Sequence, residues 1–424
     1  MKKIPVLICI DVEPDERAIN PHRADDWKGF EKIFGLFRQL RPRLERTTRS
    51  TVHLSWFLRM DPQIARVYGS ASWVAARYRR LIEEMLAAGD EVGLHTHAWA
   101  WEEKSQRWIQ DFGNQTWVAH CVSSSFKAFR QSFNRPCLSF RFGDHWMNDA
   151  TLEMIGELGA RFDMTLEPGR KGGSISEPFT GCLPDYSQVP RHPYYPSPLD
   201  FRKRASGREG GVCIIPVSTG SLEWASTVIR ERDAKATNDG NANAVYEGYH
   251  DEGDPRAIIG WVWDMNRPDR ILDVEIYDGD DLIAIATAGA YRPDLLRARK
   301  GDGRHAFRCP VPERIKDGRK HSIRVKVAGS SFDLYSTPRK IRCSSQSDHC
   351  EQYVPLNLMH DSLSFCLIMD HLLATEPYLN LVVRSDAAND RGAGRTLEDN
   401  LDYILSRSER FSFVTPAEMI ERLT

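Results

Sequence analysis

Two histidines separated by one residue, His95 and His97, follow a short apolar run at residues 91–94. Because residues two apart on a strand point to the same face, both imidazoles can bind one ion. Asp11 ends a separate apolar run and offers a hard oxygen ligand. Two imidazoles and a carboxylate with an open fourth position are typical of a catalytic zinc-type site. The histidine pair alone also fits two surface histidines after a core strand, so its assignment as a metal site depends on the residues found elsewhere in the chain.

The elements around these residues alternate between strands and helices. Such alternation favours a largely parallel sheet with helices outside it. The predicted strands are Val6–Ile10, Thr51–Leu58, Glu91–Leu94, Leu138–Phe142 and Tyr378–Val383, and the predicted helices are Trp73–Ala88, Ser123–Phe133, Asp149–Leu158, Leu363–Leu373, Leu397–Leu405 and one starting at Pro416 behind a Thr415 cap.

Polar side chains follow several of these strands directly. Active sites of β/α barrels lie at the carboxyl ends of the strands, so this placement is evidence for a site there. The residues concerned are Asp11, Arg59, His95, His97, Arg141 and Asp163.

The sequence pattern changes near residue 235, where residues 238–243 are rich in turn formers and indicate a linker. Closely spaced strands then predict an all-β sandwich of roughly a hundred residues. The α/β pattern returns after Cys343 and a polar stretch. The predicted organisation is an α/β domain in two parts, residues 1–240 and 350–424, interrupted by an inserted β-sandwich at 244–343. The predicted sandwich strands are Ile258–Trp263, Asp273–Tyr277, Leu282–Thr287, Arg304–Cys309 and Ser322–Val327, with a hairpin turn at Asp278 and Gly279.

Composition restricts the class of protein. The chain has 424 residues, of which 41% are hydrophobic and 27% charged, as expected for a soluble globular protein. Its net charge of -2, without a basic stripe, argues against a nucleic-acid partner or an anionic membrane surface. No run is long enough for a membrane span, and the first apolar run is too short for a signal peptide. Nine scattered cysteines argue against a disulfide framework, so a cytoplasmic location is expected. The oligomeric state is not predicted.

Four blocks of the chain, in order, resemble the motifs of the polysaccharide deacetylase superfamily, carbohydrate esterase family 4. The resemblance spans roughly residues 4–220 and 350–422, and the blocks are Ile10-Asp11-Val12-Glu13-Pro14-Asp15, Gly93-Leu94-His95-Thr96-His97-Ala98-Trp99, Phe140-Arg141-Phe142-Gly143 and Phe162-Asp163-Met164-Thr165. It implies a distorted (β/α) barrel of the polysaccharide deacetylase type that hydrolyses acetyl groups on sugars with a divalent metal, of which zinc is the expected ion.

The resemblance also implies roles for individual residues. Asp11 would be the general base or a ligand, and Glu13 or Asp15 would supply the other function beside His95 and His97. A metal lowers the pKa of a bound water while a nearby carboxylate takes its proton.

The remaining assigned residues surround this centre. Arg141 is predicted to hold the catalytic carboxylate through a bidentate pair, with Asp163 ordering the same network. Arg59, Trp99 and Trp101 are predicted to contact the carbohydrate substrate, since exposed aromatic rings beside a polar site suit sugars.

The chain departs from the family pattern at its last motif. A histidine that serves as general acid is expected there, but Arg384 stands at the end of that strand. Arginine cannot donate a proton at neutral pH, although it can stabilise an oxyanion or bind an anionic substrate. His145 is an alternative acid.

The sequence therefore predicts a metal-dependent hydrolase that removes acetyl or other acyl groups from a carbohydrate or polysaccharide precursor. Two alternatives stay open. One is an inactive, deacetylase-like protein that binds glycans or acts as a scaffold, and the other is a hydrolase of a non-sugar amide bond.

Overall fold

The computed structural model describes residues 3–174, 179–207, 211–222, 229–230, 243–252, 256–342, 353–390 and 392–423. The chain divides into two compact units. The first consists of Met1–Thr219, Tyr353–His360 and Leu372–Thr424, and the second of Gly220–Gln352 and Asp361–His371. Residues 238–242 of the predicted linker and the polar stretch after Cys343 lie outside the described residues.

The first unit is built on an eight-stranded sheet in which every pairing is parallel. Its strands are β1 (Ile4–Val12), β2 (Ser55–Arg59), β3 (Glu91–Thr96), β4 (Ser139–Phe142), β5 (Phe162–Asp163), β6 (Cys213–Ile214), β7 (Leu379–Arg384) and β8 (Phe411–Phe413). Their order is β6-β5-β4-β3-β2-β1-β7, and β8 pairs with the start of β1. β1 is almost entirely buried, which explains its continuous apolar run.

Asn380 links the two ends of this strand order. Its backbone N–H donates to Ser218 Oγ at 2.9 Å, and its side-chain Nδ2 donates to the carbonyl oxygens of Ile215 at 3.1 Å and Pro216 at 3.2 Å. The segment that follows β6 therefore lies against β7, and the sheet is curled. A curled parallel sheet in a mixed α/β unit fits the predicted (β/α) barrel.

Helices accompany the strands, as the alternating pattern predicts. The α-helices are Lys28–Thr48, Pro62–Tyr68, Trp73–Arg77, Arg79–Ala87, Gln115–Phe133, Asp149–Glu157, Ala393–Leu405 and Pro416–Leu423, with Ser362–Thr375 divided between the units and short 3-10 turns at Gly143–His145, Asp386–Asn389 and Ser408–Arg410. The predicted Thr415 cap is present, because Glu418 N donates to Thr415 Oγ1 and Thr415 N donates to Glu418 Oε2.

Several predicted elements differ from the structure in their bounds: the helix predicted over Ser123–Phe133 begins at Gln115, and the helix predicted over Leu397–Leu405 begins at Ala393. The predicted helix Trp73–Ala88 is interrupted at Tyr78, whose ring is buried against Trp27, Phe30 and Trp73. Aromatic packing thus prevails over a continuous helical pattern. The strand predicted over Thr51–Leu58 starts only at Ser55, since the N–H of Leu54 is bonded to the Asp90 carboxylate instead.

Short strands complete the first unit. Trp99–Glu102 and Arg107–Asp111 form a hairpin that Phe179–Thr180 extends. The others are Gly173–Ser174, Cys182–Leu183, Pro196–Ser197, Asp200–Arg204 and Tyr353–Pro355, while Thr219–Ser221 is divided between the units.

The second unit contains two antiparallel sheets. One has the strands Tyr246–His250, Ala257–Asp264, Ala290–Tyr291 and Arg304–Pro310, and the other has Ile229–Arg230, Leu272–Asp278, Asp281–Ala288, Lys320–Val327 and Arg339–Arg342. Short helical segments lie at Pro293–Arg297 and Glu313–Ile315. Buried residues of both sheets, among them Ile258, Phe307, Val274 and Val325, belong to one apolar cluster. All five predicted strands lie within these strands, while the sandwich assignment stays a prediction.

Helices long and apolar enough to cross a membrane are absent from the described residues.

Candidate metal centre

Strand register brings the predicted residues to one edge of the parallel sheet. His95 on β3 lies beside Arg59 on β2 and Arg141 on β4, and Asp11 on β1 lies beside Arg384 on β7. The carboxyl ends of parallel strands meet at the same edge, which is where β/α barrels carry their sites. This edge therefore concentrates imidazole, carboxylate and guanidinium groups.

Glu13, His95 and His97 form a compact buried triad. One ligand atom from each residue can be chosen so that all three lie within 4.8 Å of one another. The two Nε2 atoms of the histidines are 3.0 Å apart, and Glu13 Oε2 lies 3.2 Å from His97 Nε2. Glu13 Oε1 is 3.7 Å from His95 Nε2. Three ligand atoms thus converge on one point.

The hydrogen bonds of the other ring nitrogens determine which nitrogen faces that point. His95 Nδ1 donates to the carbonyl oxygen of Arg141 at 3.0 Å, which leaves Nε2 as an acceptor. His97 Nδ1 lies 3.2 Å from Asp144 Oδ2, so its Nε2 also turns toward the triad. With both Nε2 atoms deprotonated, two lone pairs and a carboxylate would face one another, an arrangement that a cation between them stabilises. The residues present fit a divalent ion with nitrogen and oxygen ligands.

Electrostatics within the triad are strongly coupled. Burial opposes ionisation of Glu13, but its hydrogen bond with His97 and the charge of Arg384 hold its pKa well below the usual value. Burial lowers the pKa of His95 to about 4, so His95 is neutral at pH 7. Burial and the charge of Arg59 act to lower the pKa of His97, but its bonds to Asp144 and Glu13 raise it above the usual value, so metal binding here would displace a proton from His97.

Asp11 lies next to the triad and is held by Arg141. Arg141 Nε donates to both carboxylate oxygens of Asp11, at 2.9 and 3.1 Å, and its NH1 donates to the carbonyl oxygen of Met164. The predicted pairing is present, but through one nitrogen and not through two parallel N–H groups. Asp11 Oδ1 is 3.7 Å from His95 Nδ1, on the side of that ring away from the metal-facing nitrogen. Asp11 is therefore not one of the three convergent ligand residues.

Arg59 contacts the triad through the side chain of Glu13. It is fully buried, its Nε donates to Asp61 Oδ2 at 2.7 Å, and its NH1 reaches Glu13 Oε2 at 3.4 Å. Asp61 also caps the helix Pro62–Tyr68 and accepts the backbone N–H of His97 at 3.1 Å. The predicted substrate contact of Arg59 does not fit this burial, since its guanidinium is used to fix Glu13. The sequence analysis missed Asp61, although an Asp-Pro pair after a strand is a typical helix start.

Asp15 lies outside the triad. Its carboxylate accepts the backbone N–H groups of Lys28 at 3.1 Å and Gly29 at 2.8 Å, at the start of the helix Lys28–Thr48. Glu13 is held differently, because Ser385 Oγ accepts its N–H at 2.8 Å and donates to its carbonyl oxygen at 3.1 Å. Of the two acids that the sequence left open, Glu13 is the one the structure places with the histidines.

Asp163 is buried behind the site. Its carboxylate accepts the hydroxyl of Thr165 at 2.5 Å and the N–H of the same residue at 3.2 Å. Thr165 Oγ1 in turn accepts the backbone N–H of Phe142 at 2.8 Å, which ties β5 to the end of β4. Burial raises the pKa of Asp163 to about 7. Asp163 therefore orders the strand that carries Arg141 without touching Asp11 or the triad.

Replacing Asp163 with asparagine is expected to change how stability depends on pH. The folded-state pKa lies above the unfolded value, so the folded wild-type protein binds an extra proton and loses stability as pH rises from about 4 to about 7. The free energy of unfolding of the wild type, relative to Asp163→Asn, should fall by about 3 kcal/mol over this window. Urea unfolding at several pH values measures it, and parallel pH profiles would contradict it.

Trp99 and Trp101 occupy different environments. The ring of Trp99 is buried and stacks on His97, with centroids 6.4 Å apart and planes 21° apart. Trp101 is partly exposed and packs edge-to-face on Trp108, with Arg66 over its ring. Trp99 is thus a wall behind a metal-facing histidine, while a substrate contact of Trp101 stays a prediction.

Asp144 is a further site residue, which the sequence analysis did not single out. It lies three residues after Arg141 in a 3-10 turn, pairs with Arg17 and accepts Gln110 Nε2 at 2.6 Å. The preceding Gly143 explains the glycine of its motif, since a Cβ there would lie 2.2 Å from the ring of His97. A carboxylate bonded to the outer nitrogen of a metal-binding histidine fixes that ring.

Changing Asp144 to asparagine should lower zinc affinity by roughly 10- to 100-fold, the range found when a histidine loses its orienting carboxylate. Competition with a chromogenic chelator measures the affinity. Asp111→Asn is a matched control, because Asp111 is a nearby carboxylate that accepts Thr180 Oγ1 and does not bond to either histidine of the triad. Equal zinc affinity of Asp144→Asn and the control would exclude the orienting role.

Arg384 and His145 differ in their relation to the triad. Arg384 Nε is 3.8 Å from Glu13 Oε1, and the guanidinium is bonded to Asp386. His145 is partly buried, with Nδ1 3.8 Å from Glu167 Oε2, and this burial lowers its pKa to about 4. The neutral imidazole is thus favoured at pH 7, and the alternative acid role of His145 stays a prediction.

Known proteins resemble this chain at the level of structure only. No family model matches the sequence, and no curated protein matches it. A crystal structure described as a polysaccharide deacetylase from Mycobacterium smegmatis has 18% identity and a TM-score of 0.31, and the match covers 56% of this chain and 66% of that one. A family 4 carbohydrate esterase from Streptomyces lividans, in complex with acetate, has 12% identity, a TM-score of 0.22 and coverages of 39% and 63%.

A third matched structure is a family 4 pseudoenzyme from Bacillus anthracis, with 11% identity, a TM-score of 0.24 and coverages of 38% and 43%. The chain thus spans less than two thirds of the length of each of these three proteins. Of these three solved structures, one is described as a polysaccharide deacetylase, and the other two are described as members of carbohydrate esterase family 4, the family that the sequence motifs of this chain resemble.

Proposed function

We propose that this protein is a metal-dependent hydrolase that removes acetyl or other acyl groups from a carbohydrate or polysaccharide precursor. The observation that carries the proposal is the buried triad of Glu13, His95 and His97 with a separate Asp11–Arg141 pair beside it. The triad can bind a cation, and the Asp11 carboxylate can accept a proton. A purely structural metal site would not need a separate carboxylate that can accept a proton.

The chain's own residues divide the work. A divalent ion on the triad would supply Lewis-acid polarisation of an acyl carbonyl. Asp11 takes the proton of the attacking water and returns it to the leaving oxygen or nitrogen as the acyl bond breaks, while Arg141 fixes the orientation of its carboxylate. Arg59 and Ser385 hold Glu13 in place through its side chain and its backbone.

Zinc is the ion we assign to this site. Two imidazoles and one carboxylate match the ligand set of catalytic zinc centres, in which a fourth position stays open for water or substrate. Cobalt, nickel and manganese accept the same nitrogen and oxygen ligands, so the test below includes them.

A carbohydrate substrate follows from the resemblance of the four motif blocks. The partly exposed Trp101 on the hairpin after β3 offers a ring on which a sugar can stack. We take the second unit, whose two sheets share one apolar cluster, as the inserted β-sandwich of this hydrolase.

A second candidate function is glycan binding without hydrolysis. The observation that favours it is Arg384, which stands where the family resemblance expects the histidine that protonates the leaving group. Arginine holds its proton at all physiological pH values. A protein that kept the metal triad and lost proton donation would bind acylated sugars without turning them over.

Metal content and acetate release separate the two functions. The purified chain is stripped with a chelator, reloaded with zinc, cobalt, nickel or manganese, and tested on acetylated sugars of several linkages. Hydrolysis predicts close to one bound ion per chain and acetate release that depends on it. Bound metal with sugar binding but no acetate release would favour the second candidate, and absence of metal binding would overturn both site assignments.

A further inference from the structure

Arg384 is a partly exposed cation that lies next to the buried triad. Its side chain is 37% exposed, whereas that of Glu13, 3.8 Å away, is 3% exposed. It is the last residue of β7 and pairs in register with Asp11. A molecule approaching the triad from solvent on this side therefore meets a guanidinium before it meets the ligands.

The guanidinium of Arg384 is fixed in orientation with one edge free. Nε donates to Asp386 Oδ1 at 3.2 Å and NH2 donates to Asp386 Oδ2. Asp386 is itself fixed by the N–H of Ala387 at 2.9 Å, within the turn Asp386–Asn389. Among the described residues, NH1 of Arg384 has no hydrogen-bond partner. A fixed guanidinium with an open N–H edge is suited to recognise a planar or tetrahedral anion.

Charge balance at this edge also favours an anionic ligand. Glu13 and Asp386 form ion pairs with Arg384, and Asp11 lies beside it in register but is paired with Arg141. A divalent ion on the triad would offset the charge of Glu13. Arg17 is 33% exposed and pairs with Asp144, the partner of His97, and its Nε is buried with no hydrogen-bond partner in the part of the chain that the structure describes. Two partly exposed arginines thus flank a site whose ligands are themselves buried.

We propose that Arg384 binds a negatively charged substituent, a carboxylate or a phosphate ester, on the acylated sugar. This inference rests on the proposed function and narrows its substrate to anionic acylated sugars. Arg384 thereby determines specificity, and the absence of a histidine at this position reflects the charge of the substrate. The bond is a charge-assisted N–H···O contact from NH1, with no proton transferred.

The test compares sugars that differ only in charge. The probes are methyl N-acetylglucosaminide, its 6-carboxylate and its 6-phosphate, together with N-acetylglucosamine 1-phosphate. Calorimetry with the zinc-loaded protein measures affinity, and acetate release is measured separately. We expect at least one anionic probe to bind about 10-fold or more tightly than the neutral sugar, a preference that weakens as salt rises.

Variants of Arg384 identify the source of that preference. Arg384→Gln should reduce the ratio of anionic to neutral affinity to near one, while Arg384→Lys should keep part of it, because the charge remains but the planar N–H edge is lost. Arg202→Gln is the matched control, since Arg202 forms a similar pair with Asp200 two residues away and is 43% exposed.

Each outcome has a defined meaning. Equal affinity for all four probes in the wild type, or an unchanged preference in Arg384→Gln, would overturn the inference. An equal loss of kcat on neutral and anionic sugars, with affinities intact, would also overturn it and assign Arg384 to the transition state. Absence of acetate release with the charge preference intact would contradict the proposed hydrolysis and leave the anion site standing.

Discussion

Loss of zinc is the expected result of replacing His97 with alanine. His97 Nε2 lies 3.0 Å from His95 Nε2 and 3.2 Å from Glu13, so the variant removes one of three convergent ligand atoms. Zinc affinity should fall by more than the roughly 100-fold that loss of an orienting partner costs, since a ligand itself is gone. Acetate release should fall with it. Elemental analysis after dialysis against a known free zinc concentration measures the loss directly.

The control for this variant is His192→Ala. His192 is a surface histidine that pairs with Glu376 at 2.8 Å. Its replacement shows how much zinc binding is lost when a surface imidazole is removed. Circular dichroism and thermal unfolding of the apo proteins show whether His97→Ala still folds. Full zinc binding by a folded His97→Ala protein would remove His97 from the metal site and with it the basis of the proposed function.

Elements and residue placement at the sheet edge could be predicted because they depend on local pattern. The apolar run before Asp11 and the His-x-His spacing each specify a strand end, and parallel pairing then brings strand ends together. Arg141 follows by the same reasoning, and its bond to Asp11 was expected. The periodicity of the apolar residues and the order of the strands along the chain are sufficient to predict which of these residues meet at the sheet edge.

Contacts between side chains distant in sequence could not be predicted in the same way. Glu13 and Asp15 are both carboxylates, two and four residues after Asp11, and their hydrogen bonds separate them, because Asp15 accepts N–H groups at the start of the helix at Lys28 while Glu13 is held by Ser385. Arg59 and Arg141 are both buried near the carboxyl ends of their strands. The guanidinium of Arg59 nevertheless contacts Glu13, whereas that of Arg141 contacts Asp11. Asp144 contacts His97 because the turn at Gly143 packs directly against the His97 ring, where a Cβ would not fit. The periodic pattern of apolar residues does not predict such a close contact.

Turnover should fall by roughly 10²- to 10⁴-fold in Asp11→Asn, the range that a general base contributes, while zinc binding persists. Asparagine has nearly the same shape and cannot take a proton. Asp11 is not one of the triad residues, and its nearest approach to His95 is to Nδ1, away from the metal-facing nitrogen. Stopped assays of acetate release and zinc titration of the same preparation measure the two effects separately.

Stability must be separated from chemistry in this variant. Asp11 and Arg141 form a buried ion pair, and removing one charge leaves the other uncompensated, which costs about 3–5 kcal/mol in comparable cases. Asp90→Asn is the matched control, because Asp90 pairs with Arg41 at 2.6 Å in another buried position, just before the amino end of β3. Both variants should unfold more easily, but only Asp11→Asn should lose turnover per folded molecule.

The comparison of these two variants decides whether Asp11 is a base or a structural partner of Arg141. If destabilisation alone reduced activity, both variants would lose it in proportion to their unfolded fraction, and stabilising conditions would restore both. A base cannot be restored in this way, because a folded and zinc-loaded Asp11→Asn protein still lacks the proton acceptor. Wild-type turnover in that folded variant would place the proton transfer elsewhere at this edge of the sheet, with Asp386 beside Arg384 as the next carboxylate to test.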